Sequence, residues 1–191
     1  GQSLAAGSNA LSSYFLVLII AKKLGPLEFG LYSVSLNFGV IVLVLIDGGF
    51  STLVYREVVA NSPQITHWNS RYLGLATAHG LCVAVCLVFL PVHMLIEQHF
   101  LDWFAVLVCM LLVAWMNLQS GQLRGQGLFA QEAMWQVLGR IVPMMIIIAV
   151  VFAGYDTATA IFIAWGFGLF LILLLSPKRR PPRPLFQQAW P

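Results

Sequence analysis

Between Leu4 and Ser176 the chain divides into six apolar runs, at about 4–21, 30–50, 72–96, 100–120, 134–154 and 158–176. Each lies near the roughly 20 residues a helix needs to cross about 30 Å of hydrocarbon. Runs so long and continuous do not suit barrel strands, which alternate apolar and polar residues over short segments. The spacing predicts an all-α integral membrane protein with six transmembrane helices over residues 1–176. Composition agrees, because 60% of the 191 residues are hydrophobic and 9% are charged. A soluble domain carries about 25% charged residues and has no core large enough to hide the remainder.

The positions of the charges orient the helices. With the N-terminus cytoplasmic, the inner segments hold Arg56, Arg71, Arg124, Arg140, Lys178, Arg179, Arg180 and Arg183, and the outer turns hold Lys22 and Lys23. That asymmetry fits the positive-inside rule and predicts an N-in/C-in topology. Trp68, Trp103, Trp135, Tyr72 and Tyr155 then fall near helix ends, as interfacial anchors do. Connections are read as a Gly25-Pro26 turn, a polar link over 51–71, short turns at 97–102 and 153–157, and a Gly/Gln-rich link over 121–133. Residues 177–191 begin as a basic, proline-rich cytoplasmic linker that cannot be helical.

Several function classes drop out. A net charge of +3, with no basic helix interleaved with aromatics, gives no nucleic-acid footprint. Cys82, Cys86 and Cys109 all lie within apolar runs, and the odd number argues against a disulfide framework. Gly1-Gln-Ser-Leu4 shows no basic n-region and no cleavage site, so the first segment is read as a retained helix. The chain carries no P-loop, no nucleophile elbow and no metal-ligand spacing, so no cofactor or metal is expected. His93, Glu97, His99 and Asp102 gather at one helix end as a polar turn. His79 lies within the third run, as an interhelical hydrogen-bonding residue or a proton relay.

Asp47 closes the run Ile41-Val-Leu-Val-Leu-Ile46 and precedes Gly48 and Gly49. An ionised carboxylate at lipid depth costs a few kcal/mol unless paired or hydrated. It either reaches headgroup water from a helix end or faces a wet cavity beside an arginine. Arg140 sits about seven residues into the fifth run, either snorkelling to the surface or meeting an anion inside the bundle. Arg124 and Arg56 lie near cytoplasmic helix ends, where charge bias or phosphate recognition accounts for them. Asn9, Ser12 and Asn37 place polar groups on the first two runs, as interhelical contacts or as the lining of a path for sugar hydroxyls.

Lys23-Leu-Gly-Pro-Leu-Glu-Phe-Gly-Leu-Tyr32 resembles the first-loop signature of bacterial polysaccharide exporters. Ile46-Asp-Gly-Gly-Phe50 with Tyr55-Arg-Glu57 is similar to the aspartate-glycine and arginine elements after their second helix, and Leu123-Arg-Gly-Gln-Gly127 to the element after their fourth. In order and spacing these resemble the O-antigen flippase and polysaccharide biosynthesis family, whose superfamily also holds multidrug/cation antiporters and the peptidoglycan lipid flippase. Gly25, Pro26, Gly30, Gly48, Gly49, Gly125 and Gly127 of these motifs are expected at hinges and turns.

The resemblance implies one six-helix lobe of a MATE-like flippase, whose members have 12 or more helices in two lobes. Leu185 to Pro191 resembles the entry to a second lobe. It further implies movement of an undecaprenyl-pyrophosphate-linked oligosaccharide across the bacterial inner membrane by alternating access, with no covalent bond changed. Arg140, Arg124 and Arg56 would neutralise the pyrophosphate, Asp47 would hold Arg56 or another arginine in place or respond to a cation gradient, and Asn9, Ser12 and Asn37 would accommodate the sugar. A polysaccharide polymerase and other assembly proteins would be partners, with the bilayer itself. Two other readings stand beside it: a multidrug or cation antiporter of the same superfamily, and a six-helix membrane enzyme or assembly subunit.

Overall fold

In the computed structural model the chain is described over residues 2–60, 65–89 and 100–175, with side chains described at 14, 16–60, 75–87 and 100–175. These residues are helical apart from the short turns at 48–49, 126–128 and 153–157, with no strand among them. The elements are α1 (Gln2–Asp47), α2 (Phe50–Ala60), α3 (Ile65–Phe89), α4 (Phe100–Gly125), α5 (Phe129–Phe152) and α6 (Ala158–Leu175). Four stretches are long and apolar enough to cross a membrane, at Leu16–Ala60, Phe100–Gly125, Phe129–Phe152 and Ala158–Leu175, with a shorter apolar helix at Leu75–Leu87.

The expected spans at 4–21 and 30–50 join into one helical run that Gly25 divides into two helices, and the run ends at Asp47, three residues before the expected end of the second span. Gly25 has φ 75° and ψ 172°, a backbone state that a side chain disfavours. Pro26 follows, where its missing N–H costs nothing in the first turn of the next helix. The expected polar link over 51–71 is instead helical at both ends, as α2 and the start of α3. Val54 and Val58 give that stretch a buried apolar face that packs on Ala76 and Leu118, which a count of its charges overlooks. The link over 121–133 shrinks because α4 continues to Gly125 and α5 starts at Phe129. Part of the span expected at 72–96, and the group His93, Glu97 and His99, lie outside the described residues, as does the tail 177–191.

Lipid supplies little hydrophobic drive for helix association, so close packing must hold the bundle together. In α1, Tyr32, Ser35, Gly39, Val42 and Ile46 are buried and recur at three- and four-residue spacing, which makes one stripe. A Cβ at Gly39 would lie 2.8 Å from Val106 and 2.9 Å from Met110, so this glycine seats the stripe on α4. Tyr32 stacks on the fully buried Phe162 of α6 at 5.3 Å between centroids. α4 packs against α1, α2, α5 and α6 and is the central helix. Where α5 crosses α6, a Cβ at Gly168 would be 2.6 Å from Pro143 Cα. Trp135, expected as an interfacial anchor, is instead buried among α4, α5 and α6, and its Nε1 donates to the Met116 carbonyl at 3.4 Å. Tyr155 is exposed in the α5–α6 turn, and Trp103 meets Phe38 edge-on at 4.4 Å.

Contacts at the two ends fix the alternation of the helices. At one end, here the hairpin end, Lys23 lies over the Phe152 ring, Glu28 Oε2 accepts from the Ala158 N–H at 3.0 Å, and Thr159 donates to Asp102. This end gathers the Gly25 break, the start of α4, the end of α5 and the start of α6. At the other end, the α2 end, Gly121 of α4 meets Ser51, and Ser120 and Arg124 meet Glu132 of α5. α4 and α6 therefore run from the hairpin end to the α2 end, and α5 runs back.

Candidate functional site

The α2 end holds the polar residues singled out from the sequence, in two groups. The first surrounds the end of α1. Gly48 has φ +49° and Gly49 φ +82°, so the chain turns before α2 begins. His79 of α3 sits in that turn, with Nε2 3.0 Å from the Leu45 carbonyl oxygen. The carbonyl can only accept, so Nε2 carries the proton and caps an otherwise unpaired helix-end group. A Cβ at Gly48 would be 2.8 Å from His79 Nε2, so glycine is required here by backbone and ring together. The ring also meets Phe50 at 5.3 Å between centroids. Asp47 accepts from Ser51 Oγ at 2.9 Å through Oδ2, while its Oδ1 is buried and unpaired among the described residues. No arginine among those residues pairs with Asp47.

The second group joins α4 to α5. Glu132, in the first turn of α5, receives Ser120 Oγ at 3.0 Å, Arg124 Nη2 at 2.6 Å, Arg124 Nε at 3.2 Å and Gln136 Nε2 at 2.7 Å, all on Oε1. Gln136 Nε2 also reaches Ser120 Oγ at 3.2 Å. The Glu132 side chain is 12% exposed, against 49% for Arg124. A carboxylate in a first turn also gains from the positive end of the helix dipole.

Arg140 continues this group along α5. Glu132, Gln136, Arg140, Pro143, Ile147 and Val151 recur at three- and four-residue spacing and occupy one stripe. Pro143, Ile147 and Val151 are buried. Met134, Leu138, Ile141, Met145 and Phe152 are exposed on the opposite side. Arg140 is thus exposed, yet it lies on the stripe that faces the bundle, and no described residue pairs with it.

The remaining candidates separate from these groups. Arg56 is exposed on α2, whose Val54 and Val58 face inward. Asn37 is exposed on α1 opposite the buried stripe, and its Nδ2 donates to the Ser33 carbonyl at 2.8 Å. Its polarity is thus spent within its own helix. Asn9 and Ser12 belong to α1, and their side chains lie outside the described residues. Gly127 has φ +72° in the α4–α5 turn. Gly30 is helical, in open space, and makes no turn. Gly125 is a packing contact rather than a hinge, because a Cβ there would lie 2.8 Å from Val58. With Gly121 it forms a small-xxx-small pair that lets α2 approach α4.

Sequence reasoning missed Glu132, Gln136 and Ser120. The spacing of Glu132, Gln136 and Arg140 at every fourth residue was a usable signal, since it places three polar side chains on one helix face. Ser120 carries none, because its partner lies across a turn.

Several apolar membrane-length helices and a polar end define the class: this is a multi-pass, all-helical membrane protein. The chain matches the model of the polysaccharide biosynthesis protein family over residues 2–176, and it belongs to that family, the family of the O-antigen flippases. No curated protein and no solved structure matches it.

Proposed function

We propose that the chain forms one lobe of a flippase that moves an undecaprenyl-pyrophosphate-linked oligosaccharide across the bacterial inner membrane during polysaccharide biosynthesis, O-antigen, capsule or exopolysaccharide. The observation that carries this reading is the position of Arg140: a cation with no described partner, on the bundle-facing stripe of a membrane-spanning helix. An unpaired guanidinium at such a depth is costly unless an anion or water meets it, and its fork suits phosphate oxygens. Arg124, half-exposed on the same side, would be the second phosphate ligand, and Arg56 a third at the membrane surface. The polyprenyl tail would remain in lipid. Transport would proceed by rocking of two lobes, with the α2 end cytoplasmic under the positive-inside rule. No bond is made or broken, and a polymerase would take up the product on the outer face.

Purified protein in vesicles, supplied with lipid-linked oligosaccharide on one side, tests this. Arg140→Ala is expected to lower the flipping rate at least about tenfold, the loss of one charge-assisted contact, and Arg140→Lys to restore part of it. Undiminished flipping in Arg140→Ala removes the observation on which the reading stands.

A second reading, a cation antiporter, draws on Asp47, whose buried Oδ1 lacks a partner among the described residues. It predicts cation-driven efflux abolished by Asp47→Asn, with Arg140→Ala harmless.

A further inference from the structure

Arg124 is already occupied. Its partner is neither a neighbour on its own helix nor a loosely placed surface group. Glu132 is largely buried, stands in the first turn of the next helix, and is held from both helices at once. Yet the contact is lopsided. Arg124 Nε and Nη2 both reach one oxygen, Oε1, which Ser120 and Gln136 share, and Oε2 receives no hydrogen bond from a described residue. The two-pronged guanidinium–carboxylate geometry, with one N–H on each oxygen, is therefore not formed. A phosphate group presents several oxygens and suits the fork better. Arg124 is also 49% exposed, so an incoming anion can reach it without unpacking α4 from α5.

We propose that Glu132 is a resident counter-anion: it holds Arg124 in position while the site is empty and yields the guanidinium to a phosphate-bearing anion that docks beside Arg140. This rests on the flippase reading, and it adds a residue that opposes binding rather than assisting it. Glu132 is a positioning residue. It keeps Arg124 from collapsing onto the surface, and it lowers affinity enough for the cargo to be released. Ser120 and Gln136 keep the displaced carboxylate satisfied, since both donate to it independently of Arg124. The two sources of such an anion are the pyrophosphate of the cargo and the headgroup of an anionic phospholipid.

Binding of inorganic pyrophosphate to the 191-residue chain in phosphatidylcholine vesicles tests the exchange. Glu132→Gln keeps an acceptor for Ser120 and Gln136 but removes the charge that competes for Arg124. It is expected to tighten pyrophosphate binding about tenfold, the scale of one charge-assisted hydrogen bond, and to slow release of cargo. The gain should vanish in Glu132→Gln/Arg124→Gln. A purely structural Glu132 would give the reverse: weaker binding together with a lower unfolding temperature. Should Glu132→Gln fail to insert, Glu132→Asp, one methylene shorter and drawn back from Arg124, is read on the same scale with the same sign. Unchanged or weaker binding in the variant, or a gain that survives loss of Arg124, overturns the exchange while leaving the flippase reading intact. A wild-type chain that binds no pyrophosphate, with Arg140→Ala flipping normally, overturns both. Repeating the titration with phosphatidylglycerol in the vesicles separates the sources: suppression of the Glu132→Gln gain identifies a headgroup as the displacing anion, and persistence identifies the cargo's pyrophosphate.

Discussion

At the hairpin end, carboxylates are committed to the first turn of α6. Glu28 accepts from the Ala158 N–H, and Asp102 accepts from Thr159 while itself buried. At the α2 end, Asp47 carries a buried oxygen with no partner among the described residues, Glu132 accepts from Ser120, Arg124 and Gln136, and three arginines, Arg56, Arg124 and Arg140, are exposed. The first arrangement ties α1, α4 and α6 at one point through the first turn of α6. The second consists of side-chain contacts between neighbouring helices, of which the Arg124–Glu132 pair is the one proposed to exchange with an anion. One end is tied at a single point joining three helices, and the other carries its polar groups in separate side-chain contacts.

The strongest test of that contrast is the seating of α2. A Cβ at Gly121 would meet the Ser51 carbonyl oxygen at 2.8 Å, a backbone atom that cannot rotate away. Gly121→Val is expected to destabilise by about 3 kcal/mol, the upper range for overpacking, and to abolish transport as α2 leaves α4. Thermal unfolding in detergent reads the first effect. A variant as stable as wild type would mean that α2 is itself loosely held, and that the exchangeable end extends to the backbone.

Asp102→Ala probes the fixed end. Removing the acceptor leaves the Thr159 hydroxyl without it in a half-buried place, which costs about 1–3 kcal/mol. Pyrophosphate affinity at the far end should stay within experimental error. A change in affinity as large as that expected for Glu132→Gln would break the division between the ends.

The α1–α2 turn lies between these extremes. Gly48→Ala places a side chain at φ +49° and against His79, with an expected cost of about 1–2 kcal/mol. His79→Ala gives up the cap on the Leu45 carbonyl, about 1 kcal/mol. Because the ring is what a methyl at Gly48 would strike, the two changes together should cost less than their sum. Strict additivity in unfolding measurements would show that the ring does not rest on Gly48.

Much of this was legible in the sequence, and the limits have physical causes. Membrane-length helices follow from apolar runs, because lipid leaves the backbone few options. The break at Gly25-Pro26 and the turn at Gly48-Gly49 follow from residues that suit a turn. The helix α2 was read as a link because its charges stood out, while the feature that seats it, Gly121 and Gly125, lies on a different helix about seventy residues away. The same holds for His79. Its place in the third run was plain, but its role depends on the packing of α3 beside the end of α1, which no local pattern encodes. The sequence sets Arg140 within the fifth run and Arg124 near a helix end, and the fold adds what spacing cannot: Arg124 is paired with Glu132 across a turn, and Arg140 is without a described partner on a bundle-facing stripe.

The smallest expected effect lies just after the Gly25 break, in the helical segment whose motif carries the family resemblance. Glu28 reaches the N-terminus of α6 across 130 residues of chain. Glu28→Gln keeps an oxygen that can accept from the Ala158 N–H, so the bond itself survives. What is lost is the negative charge facing the positive end of the helix dipole, worth about 0.3–1 kcal/mol and reduced by salt. The variant should unfold slightly earlier than wild type at low ionic strength and indistinguishably at high salt. Glu28→Ala should lose the bond as well and remain destabilised at any salt. Together the two separate the charge from the hydrogen bond at the fixed end. If Glu28→Gln shows the full, salt-independent loss of Glu28→Ala, the tie depends on carboxylate geometry alone. The hairpin end would then be held more rigidly than a dipole contact allows, which sharpens its contrast with the exchangeable Glu132.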